Sequence, residues 1–254
     1  MGKQGGILPR YAVVLEALAA APGGLSLTEM VAATGLPKGT VHRLIAALDD
    51  VGYIAPRDGR KVYALGPRLL RLLQMGVAPA TISDLVRPTL EELAARFNET
   101  AFVARLAGIE VQSVAMVVPD SEVRSYVQPG RVMPLHAAAS AKAIIAFQDD
   151  GLIDEALSHA RTAFTDHTRV DATAVRADFA AVRRQGFAVC DEELDPGVLS
   201  YACPVRLDGA GVLYSVGVVG LSQRLGRNPQ SEIVAALRVC AERIVTCLPG
   251  GDER

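Results

Sequence analysis

The first 66 residues contain three short helical patterns followed by a hairpin pattern, and this order leaves few folds open. Apolar residues recur at helical spacing from residue 10 to residue 21, where Pro22 and two glycines end the helix. A second helix is predicted after Ser26, because Ser26 and Glu29 have the spacing of a capping box. Gly35 then turns the chain before the third helix.

The third helical pattern begins at Pro37, a residue that suits the first position of a helix, and continues to about Asp50. Its apolar stripe consists of Val41, Leu44, Ile45 and Leu48. The first turns also carry residues that fall largely off this stripe, namely Lys38, Gly39, His42 and Arg43. We therefore expect the start of this helix to present polar groups outward.

Two short strand patterns, 52–54 and 62–65, flank a polar tip at residues 57–60. Asp58 followed by Gly59 is typical of a tight hairpin turn. Two helices, a turn, a third helix and a two-stranded wing form the order of a winged helix-turn-helix, whose recognition helix enters the major groove of DNA. The sequence predicts this domain over residues 1–66.

Charge is distributed unevenly along the chain. Residues 1–76 contain nine basic and five acidic side chains, a net charge of +4, whereas the remainder has a net charge of −6. This asymmetry favours a polyanion as the partner of the N-terminal end, and we expect a pseudo-palindromic double-stranded DNA. The residues expected to contact it are Ser26, Thr28, Lys38, Gly39, Thr40, His42, Arg43, Arg57 and Arg60.

Beyond residue 66 the pattern changes. Residues 67–80 predict a basic amphipathic linker helix, and residues 81–254 a larger domain. Within that domain, helices are predicted at 82–98, 137–147, 152–159, 172–185 and from 229, and strands at 101–106, 111–118, 187–190, 199–207 and 212–219. Asp171 and Gly186 suit the two ends of the helix between them. This order predicts an α+β domain in which helices flank an antiparallel sheet.

Composition excludes several classes of protein. Half of the 254 residues are apolar, so the chain can bury a sizeable core. There is no uncharged apolar run long enough to span a membrane and no secretory signal pattern, so we expect a cytoplasmic protein without a membrane partner. The cysteines lack the spacing of a metal site or disulfide framework, and we expect buried free thiols and no metal or cofactor. They are Cys190, Cys203, Cys240 and Cys247.

The common catalytic motifs are missing from the sequence. No nucleophile elbow surrounds Ser140, and neither a phosphate-binding loop nor a complete dinucleotide fingerprint is present. An acidic run at 191–195 offers carboxylates for acid/base work, but such a run is more often solvated or caps another element. We therefore expect no enzyme and no catalytic residue. A hydrolase joined to a DNA-binding domain, and a dimerisation module without an effector, are the alternatives.

Ordered runs of residues in both halves are similar to one known family. In the first half they are 36–44, Gly52 with Tyr53, and 63–66; in the second they are 134–137, Lys142, 184–189, 192–194 and 196–197. Over nearly its whole length the chain resembles the IclR family of bacterial transcriptional regulators. The resemblance implies a GAF-like effector domain and a homodimer that pairs through the DNA-binding half, or a homotetramer. Repression and activation remain alternatives.

The resemblance also implies a ligand pocket between the helix bearing Lys142 and the sheet. The matching positions are Ala139, Ser140, Cys190, Ser200, Gly217 and Val219. They offer few hydrogen-bond partners and, at Gly217, room, so we expect an aromatic acid or amide as effector. The alternative is that these small residues merely fill a core. The chain departs from the family pattern at Gly39, where serine is frequent, and at 139–141, where glycines are usual.

Overall fold

The computed structural model describes residues 6–57, 61–120, 125 and 127–248. The chain divides into two compact units, Met1–Gly76 and Val77–Arg254, and the division falls inside the segment predicted as a linker. In the described ranges no single helix is long and apolar enough to cross a membrane, although Pro67–Met75 and Pro79–Phe97 together satisfy the same length and composition test.

The described part of the first unit contains four helices and a small sheet. The helices are α1 (Ile7–Ala19), α2 (Leu27–Thr34), α3 (Lys38–Asp50) and α4 (Pro67–Met75). The predicted capping box is confirmed: the Ser26 hydroxyl accepts a hydrogen bond from the Glu29 amide, and the Glu29 carboxylate accepts one from the Ser26 amide. Gly35 ends α2 in the left-handed conformation. Pro37 lies one position outside α3, as its N-terminal cap, rather than in its first turn.

The sheet of the first unit has three strands where the sequence predicted two. They are β1 (Leu25–Ser26), β2 (Ile54–Pro56) and β3 (Val62–Leu65), in the order β1-β3-β2, and all pairings are antiparallel. The wing hairpin is present, with its first strand shifted towards the tip. Sequence reasoning missed β1 because two residues are too short to show a period.

One hydrophobic core holds these elements together. The apolar stripes of α1, α2 and α3 meet β2, and the fully buried side chains are Val14, Leu18, Met30, Val41, Leu44, Ile45, Leu48 and Ile54. The predicted stripe of α3 is buried in full. Because four side chains of one helix face are held in this core, the rotation of α3 about its axis is fixed and its opposite face is left to solvent.

The second unit is built on a six-stranded antiparallel sheet. Its strands are β4 (Thr100–Ala107), β5 (Glu110–Val117), β6 (Val132–Met133), β7 (Ala188–Asp191), β8 (Val198–Leu207) and β9 (Gly211–Leu221), in the order β6-β5-β4-β9-β8-β7. Its helices are α5 (Pro79–Phe97), α6 (Ala139–Ile145), α7 (Asp150–Ser158), α8 (Ala172–Gln185), α9 (Ser222–Leu225) and α10 (Gln230–Cys247). The α+β class and the antiparallel sheet flanked by helices are confirmed.

Helix ends in this unit follow local chemistry, with a few corrections. The Asp171 side chain caps α8, and Gly186 ends it in the left-handed conformation, both as predicted. The linker helix predicted over 67–80 ends at Met75, and Pro79 starts α5, because proline suits the first position of a helix. The strand β6 and the single turn α9 were not predicted, since neither is long enough to show periodicity.

Candidate nucleic-acid interface and effector cavity

The exposed face of α3 carries the polar side chains that the sequence analysis singled out. Lys38, His42 and Arg43 are exposed and Thr40 is half-buried, while the apolar stripe points into the core. Gly39 is exposed as well, and a Cβ built on it would meet nothing within 4 Å. Cationic and hydroxyl groups on the first turns of one helix are the kind of surface that reads base edges in a major groove.

Ser26 has a structural role in addition to the predicted contact with DNA. Its hydroxyl oxygen lies 3.3 Å from the Glu29 amide nitrogen, and its own amide lies 2.7 Å from the Glu29 carboxylate. Hydrogen bonds from the Ser26 side chain and from the Ser26 amide to the Glu29 carboxylate lower the pKa of Glu29, and the capping box holds the start of α2. Thr28, two positions after Ser26, is exposed.

The described side of the wing contributes one arginine. Arg57 is exposed, and its guanidinium donates a hydrogen bond of 2.5 Å to the carbonyl oxygen of Pro22, which ties the wing to the turn after α1. Arg60, the second wing residue expected to contact DNA, lies outside the described residues, as do Asp58 and Gly59 at the predicted hairpin tip.

A cavity of about 230 Å³ lies in the second unit; we call it the effector cavity. Its walls are Phe102, Ser125, Val127, Arg131, Met133, Ala138, Ala139, Ser140, Cys190, Leu194, Asp195, Val198, Ser200 and Val219. Five of the six positions predicted to line a pocket are among them. Strand register explains why: Cys190 pairs with Ser200, and Ser200 with Val219, so that these three side chains form a row across β7, β8 and β9. Helix α6 packs against the same three strands and contributes Ala139 and Ser140.

Gly217 is the sixth position, and the expectation that it leaves room for a ligand is wrong. It pairs with Phe102 on β4, and the Phe102 ring occupies the space above it. A Cβ built on Gly217 would lie 2.3 Å from Cζ of Phe102 and 2.6 Å from the Tyr201 carbonyl oxygen. Gly217 therefore leaves room for the ring of Phe102, which forms part of the cavity wall. The sequence did not predict Phe102 as a lining residue.

The polar groups in the buried part of the cavity wall are uncharged. Ser140 is 1% exposed, and its hydroxyl has no hydrogen-bond partner among the described residues. Burial raises the pKa of the Cys190 thiol to about 11, and the nearby Lys142 only partly offsets this, so the thiol stays protonated at neutral pH. Ser200 lies beside Cys190 and is 7% exposed. These groups can donate or accept hydrogen bonds without bringing a charge.

A buried ionic cluster lies next to Cys190. Lys142 on α6 is 1% exposed, and its Nζ lies 2.7 Å from the Glu193 carboxylate and 3.0 Å from that of Asp178. Arg169, which is half-exposed, lies 3.2 Å from the same oxygen of Glu193. Burial raises the pKa of Glu193, and Lys142 partly offsets this. Two cations thus match two carboxylates, and the cluster ties α6, α8 and the loop after β7 together.

The acidic run at 191–195 therefore serves more than one purpose. Glu193 belongs to the buried ionic cluster, whereas Asp191 and Asp195 are exposed. Glu192 has a positive φ of 55°, and its carbonyl accepts a hydrogen bond from the Thr165 hydroxyl. Most of the run is solvated or structural, as the sequence suggested, but the pattern gave no sign that one member would be buried against a lysine 51 residues away.

Two charged residues on the cavity wall were not predicted. Arg131, just before β6, and Asp195, in the loop after β7, both line the effector cavity and are exposed. Among the described residues, no acceptor hydrogen-bonds to the Arg131 side chain. Arg131 lies in no motif, so the sequence offered no signal for it, whereas Asp195 ends the acidic run at 191–195 but was not expected to line a pocket.

Three of the four cysteines are buried and the fourth is exposed. Cys190, Cys203 and Cys240 are buried free thiols, as predicted, but Cys247 is exposed because it is the last residue of α10, beyond the packed stripe. Within the described ranges, no group of three or more His, Cys, Asp or Glu side chains is placed to hold a metal ion.

Comparison with known protein families agrees with the two-unit architecture. The family described as the IclR helix-turn-helix domain matches residues 8–58, and the one described as the bacterial transcriptional regulator IclR C-terminal domain matches residues 76–246. Together these matches cover most of the chain. The protein belongs to the IclR family of DNA-binding transcriptional regulators.

Individual relatives have the same organisation. The HTH-type transcriptional regulator Rv1719 of Mycobacterium tuberculosis is 31% identical, over 99% of this chain and 96% of its own. The HTH-type transcriptional regulator TtgV of Pseudomonas putida is 33% identical, over 92% of this chain and 88% of its own. The solved structure of Thermotoga maritima IclR shares the fold, with a TM-score of 0.61 at 20% identity over 93% of this chain and 96% of its own. That these relatives are regulators argues against the hydrolase alternative.

Proposed function

We propose that this regulator binds a pseudo-palindromic duplex DNA through α3 and the wing, and that a small aromatic acid or amide in the effector cavity controls that binding. One observation carries the effector part of the proposal. The Ser140 hydroxyl is buried on the wall of a cavity and has no partner among the described residues. Since a buried polar group without a partner costs about 1–3 kcal/mol, a ligand that pairs with it is favoured.

Different residues of the first unit have different roles in this proposal. Thr40 and Arg43 lie on the exposed side of α3, so we assign base contacts to them and expect them to set sequence preference. Lys38 and His42 extend the same surface. We assign contacts with the sugar-phosphate backbone of the DNA to Ser26 and Thr28, at the start of α2. Arg57 and Arg60 of the wing contact phosphates and contribute affinity for any sequence.

A second copy of the chain is the partner we assign to α4. This helix exposes three large apolar side chains: Leu72 is 46% exposed, Leu73 58% and Met75 52%. Apolar surface of this kind on an amphipathic helix favours association with a like surface, and a dimer with two-fold symmetry matches a pseudo-palindromic site. A homodimer, or a homotetramer of two such dimers, follows from this pairing.

The lining of the effector cavity favours one aromatic ring. Phe102, Val127, Met133, Leu194 and Val219 supply apolar surface, and the polar groups between them are few. The volume of about 230 Å³ is below the range of about 300–1,000 Å³ typical of pockets for drug-sized ligands. A compact hydrophilic acid would bury polar atoms against these apolar walls, whereas a ring fills them.

Control of DNA binding requires two states of the protein. The effector must bind one arrangement of the DNA-binding halves better than the other, because a ligand shifts an equilibrium only by its difference in affinity for the two states. We assign the two states to two arrangements of the dimer. They differ in the separation of the two α3 helices, which decides whether both helices fit successive major grooves.

DNA binding is tested by measuring affinity for an operator found by genome-wide mapping, against salt concentration. The logarithm of the binding constant should fall by about 0.9 per phosphate contact for each tenfold rise in salt. Thr40→Ala and Arg43→Ala should lose about 1–3 kcal/mol of preference for the operator, while Arg57→Ala should weaken operator and random duplex alike. A flat salt response, or equal affinity for random sequence, would contradict the proposal.

Effector binding is tested by calorimetry on the full chain with benzoate, hydroxybenzoates, their amides, pyruvate and glyoxylate. We expect one or more aromatic compounds to give a saturable binding heat. At the same concentrations, these compounds should either weaken or strengthen binding of the protein to its operator. Tight binding of pyruvate or glyoxylate with no response to any aromatic compound would overturn the assignment of ligand class.

A further inference from the structure

The charges around the effector cavity differ between its buried and exposed parts. In the buried part, Ser140, Ser200 and Cys190 are neutral, and the thiol of Cys190 is protonated. At the exposed part, Arg131 supplies a cation with no acceptor bonded to it among the described residues, and Asp195 supplies an anion. A ligand that carries both a charge and a neutral polar group therefore has a preferred direction of entry.

The buried part is unsuited to a carboxylate. The cations closest to it, Lys142 and Arg169, are already matched by Glu193 and Asp178. One oxygen of Glu193 is buried and has no hydrogen-bond donor among the described residues, and the negative charge of Glu193 acts on the neighbouring Cys190. A carboxylate placed here would lose its hydration, find no free cation among the described residues and face a second negative charge, so burying it would be costly.

The exposed part can take the carboxylate at lower cost. An arginine presents two parallel N–H groups to a carboxylate, which gives a directional, charge-assisted pair. Water still reaches this end, so the carboxylate is only partly desolvated, and the repulsion from Asp195 is screened. The buried Ser140 hydroxyl is then left for a neutral donor or acceptor on the other side of the ring.

We infer that the effector is a single-ring aromatic carboxylate bearing a second, uncharged hydrogen-bonding group, with its carboxylate on Arg131, its ring against Phe102 and its second group on Ser140. This inference rests on the proposed function and adds to it the direction of the ligand and the two residues that select it. Arg131 selects the charge, and Ser140 selects the neutral substituent.

The test uses four probes that differ by one group each, measured by calorimetry on the full chain: 4-hydroxybenzoate, 4-hydroxybenzamide, benzoate and benzamide. The unaltered protein should bind 4-hydroxybenzoate most tightly. Arg131→Met should weaken both acids by about 10- to 100-fold and leave both amides within about twofold, because it removes only the charged pair. Arg131→Lys keeps the positive charge, so it should lower the affinity for the two acids less than Arg131→Met does.

Ser140→Ala is the matched variant for the other end. It should weaken 4-hydroxybenzoate by about 5- to 10-fold and leave benzoate unchanged, because benzoate, with its carboxylate on Arg131, has no second group to pair with Ser140. Thermal unfolding of each variant without ligand checks that the fold is retained.

The outcomes separate two kinds of failure. If the unaltered protein binds aromatic compounds but Arg131→Met weakens acids and amides equally, or neither, the direction is wrong and the proposed function stands. If Ser140→Ala weakens benzoate as strongly as 4-hydroxybenzoate, the carboxylate lies at the buried end and the inference is overturned. If the unaltered protein binds none of the four probes but responds to a compact acid, the ligand class and the inference both fail.

Discussion

The two units place their polar residues in opposite ways. In the first unit Lys38, His42 and Arg43 lie on consecutive turns of one helix, and all are exposed. In the second unit Lys142 and Glu193 come from segments 51 residues apart, and both are buried. A site on a helix surface needs only the geometry of that helix, whereas a buried site needs several elements to meet. Substitutions should therefore change binding in the first unit and stability in the second.

Lys142→Met should show the largest difference between the units. Removing this cation leaves Glu193 and Asp178 with only the half-exposed Arg169, and breaking a buried ion pair from one side costs about 3–5 kcal/mol. Urea denaturation of the full chain, followed by circular dichroism, should show this loss in the free energy of unfolding of the second unit. Lys38→Met, on the exposed face of α3, should change it by less than about 0.5 kcal/mol.

A double variant shows whether charge or packing is responsible. Lys142→Met combined with Glu193→Leu removes one cation and one carboxylate together, so most of the stability should return. If the double variant were as unstable as the single one, the cluster would stabilise the second unit through the packing of its side chains and not through its charge balance.

Gly217→Ala should have an intermediate effect on the same unit. Its added methyl group would overlap the Phe102 ring and the Tyr201 carbonyl, and forcing extra volume into a packed core costs about 1–3 kcal/mol. Because Phe102 must move, we also expect weaker binding of aromatic ligands. The free energy of unfolding and the calorimetric affinity should be measured on the same preparation; an unaltered free energy of unfolding would show that the ring is not seated on this glycine.

Gly39→Ala is the corresponding substitution in the first unit, and it should have the smallest effect and the opposite sign. A Cβ there meets nothing within 4 Å, and the residue lies in the first turn of α3. Alanine restricts the unfolded chain more than glycine does, so the first unit should gain about 0.4–1 kcal/mol. Thermal unfolding of the full chain measures this, and a loss of stability would mean that the start of α3 is more strained than its surroundings indicate.

Local rules predicted much of this fold. The capping box of Ser26 and Glu29, the cap of Asp171 and the left-handed glycine at 186 depend on neighbours in sequence, and all three form as expected. The elements that escaped were β1, β6 and α9, which are too short to carry a period and exist because an adjacent strand or loop holds them. Family resemblance added what periodicity could not, namely that α6 faces the sheet across a pocket.

The effector cavity shows where sequence reasoning ends. Five of its six predicted lining positions lie on the cavity wall, but Gly217 does not, because the strand opposite it supplies a phenyl ring. Arg131 was missed altogether, and Asp195 was noted only as part of the acidic run, since both come from irregular segments whose position depends on the chain around them.

By itself the sequence determined the kind of the longer elements, the ends of most helices and the outward residues of α3, since these follow from hydrogen bonds and periodicity within a few residues. Only the tertiary structure decided which side chains share the effector cavity, that Lys142 balances Glu193, and that the Ser140 hydroxyl has no hydrogen-bond partner in the part of the chain that the structure describes. The physical reason is strand register: it places Cys190, Ser200 and Val219 in one row, and no spacing along the chain reveals that row.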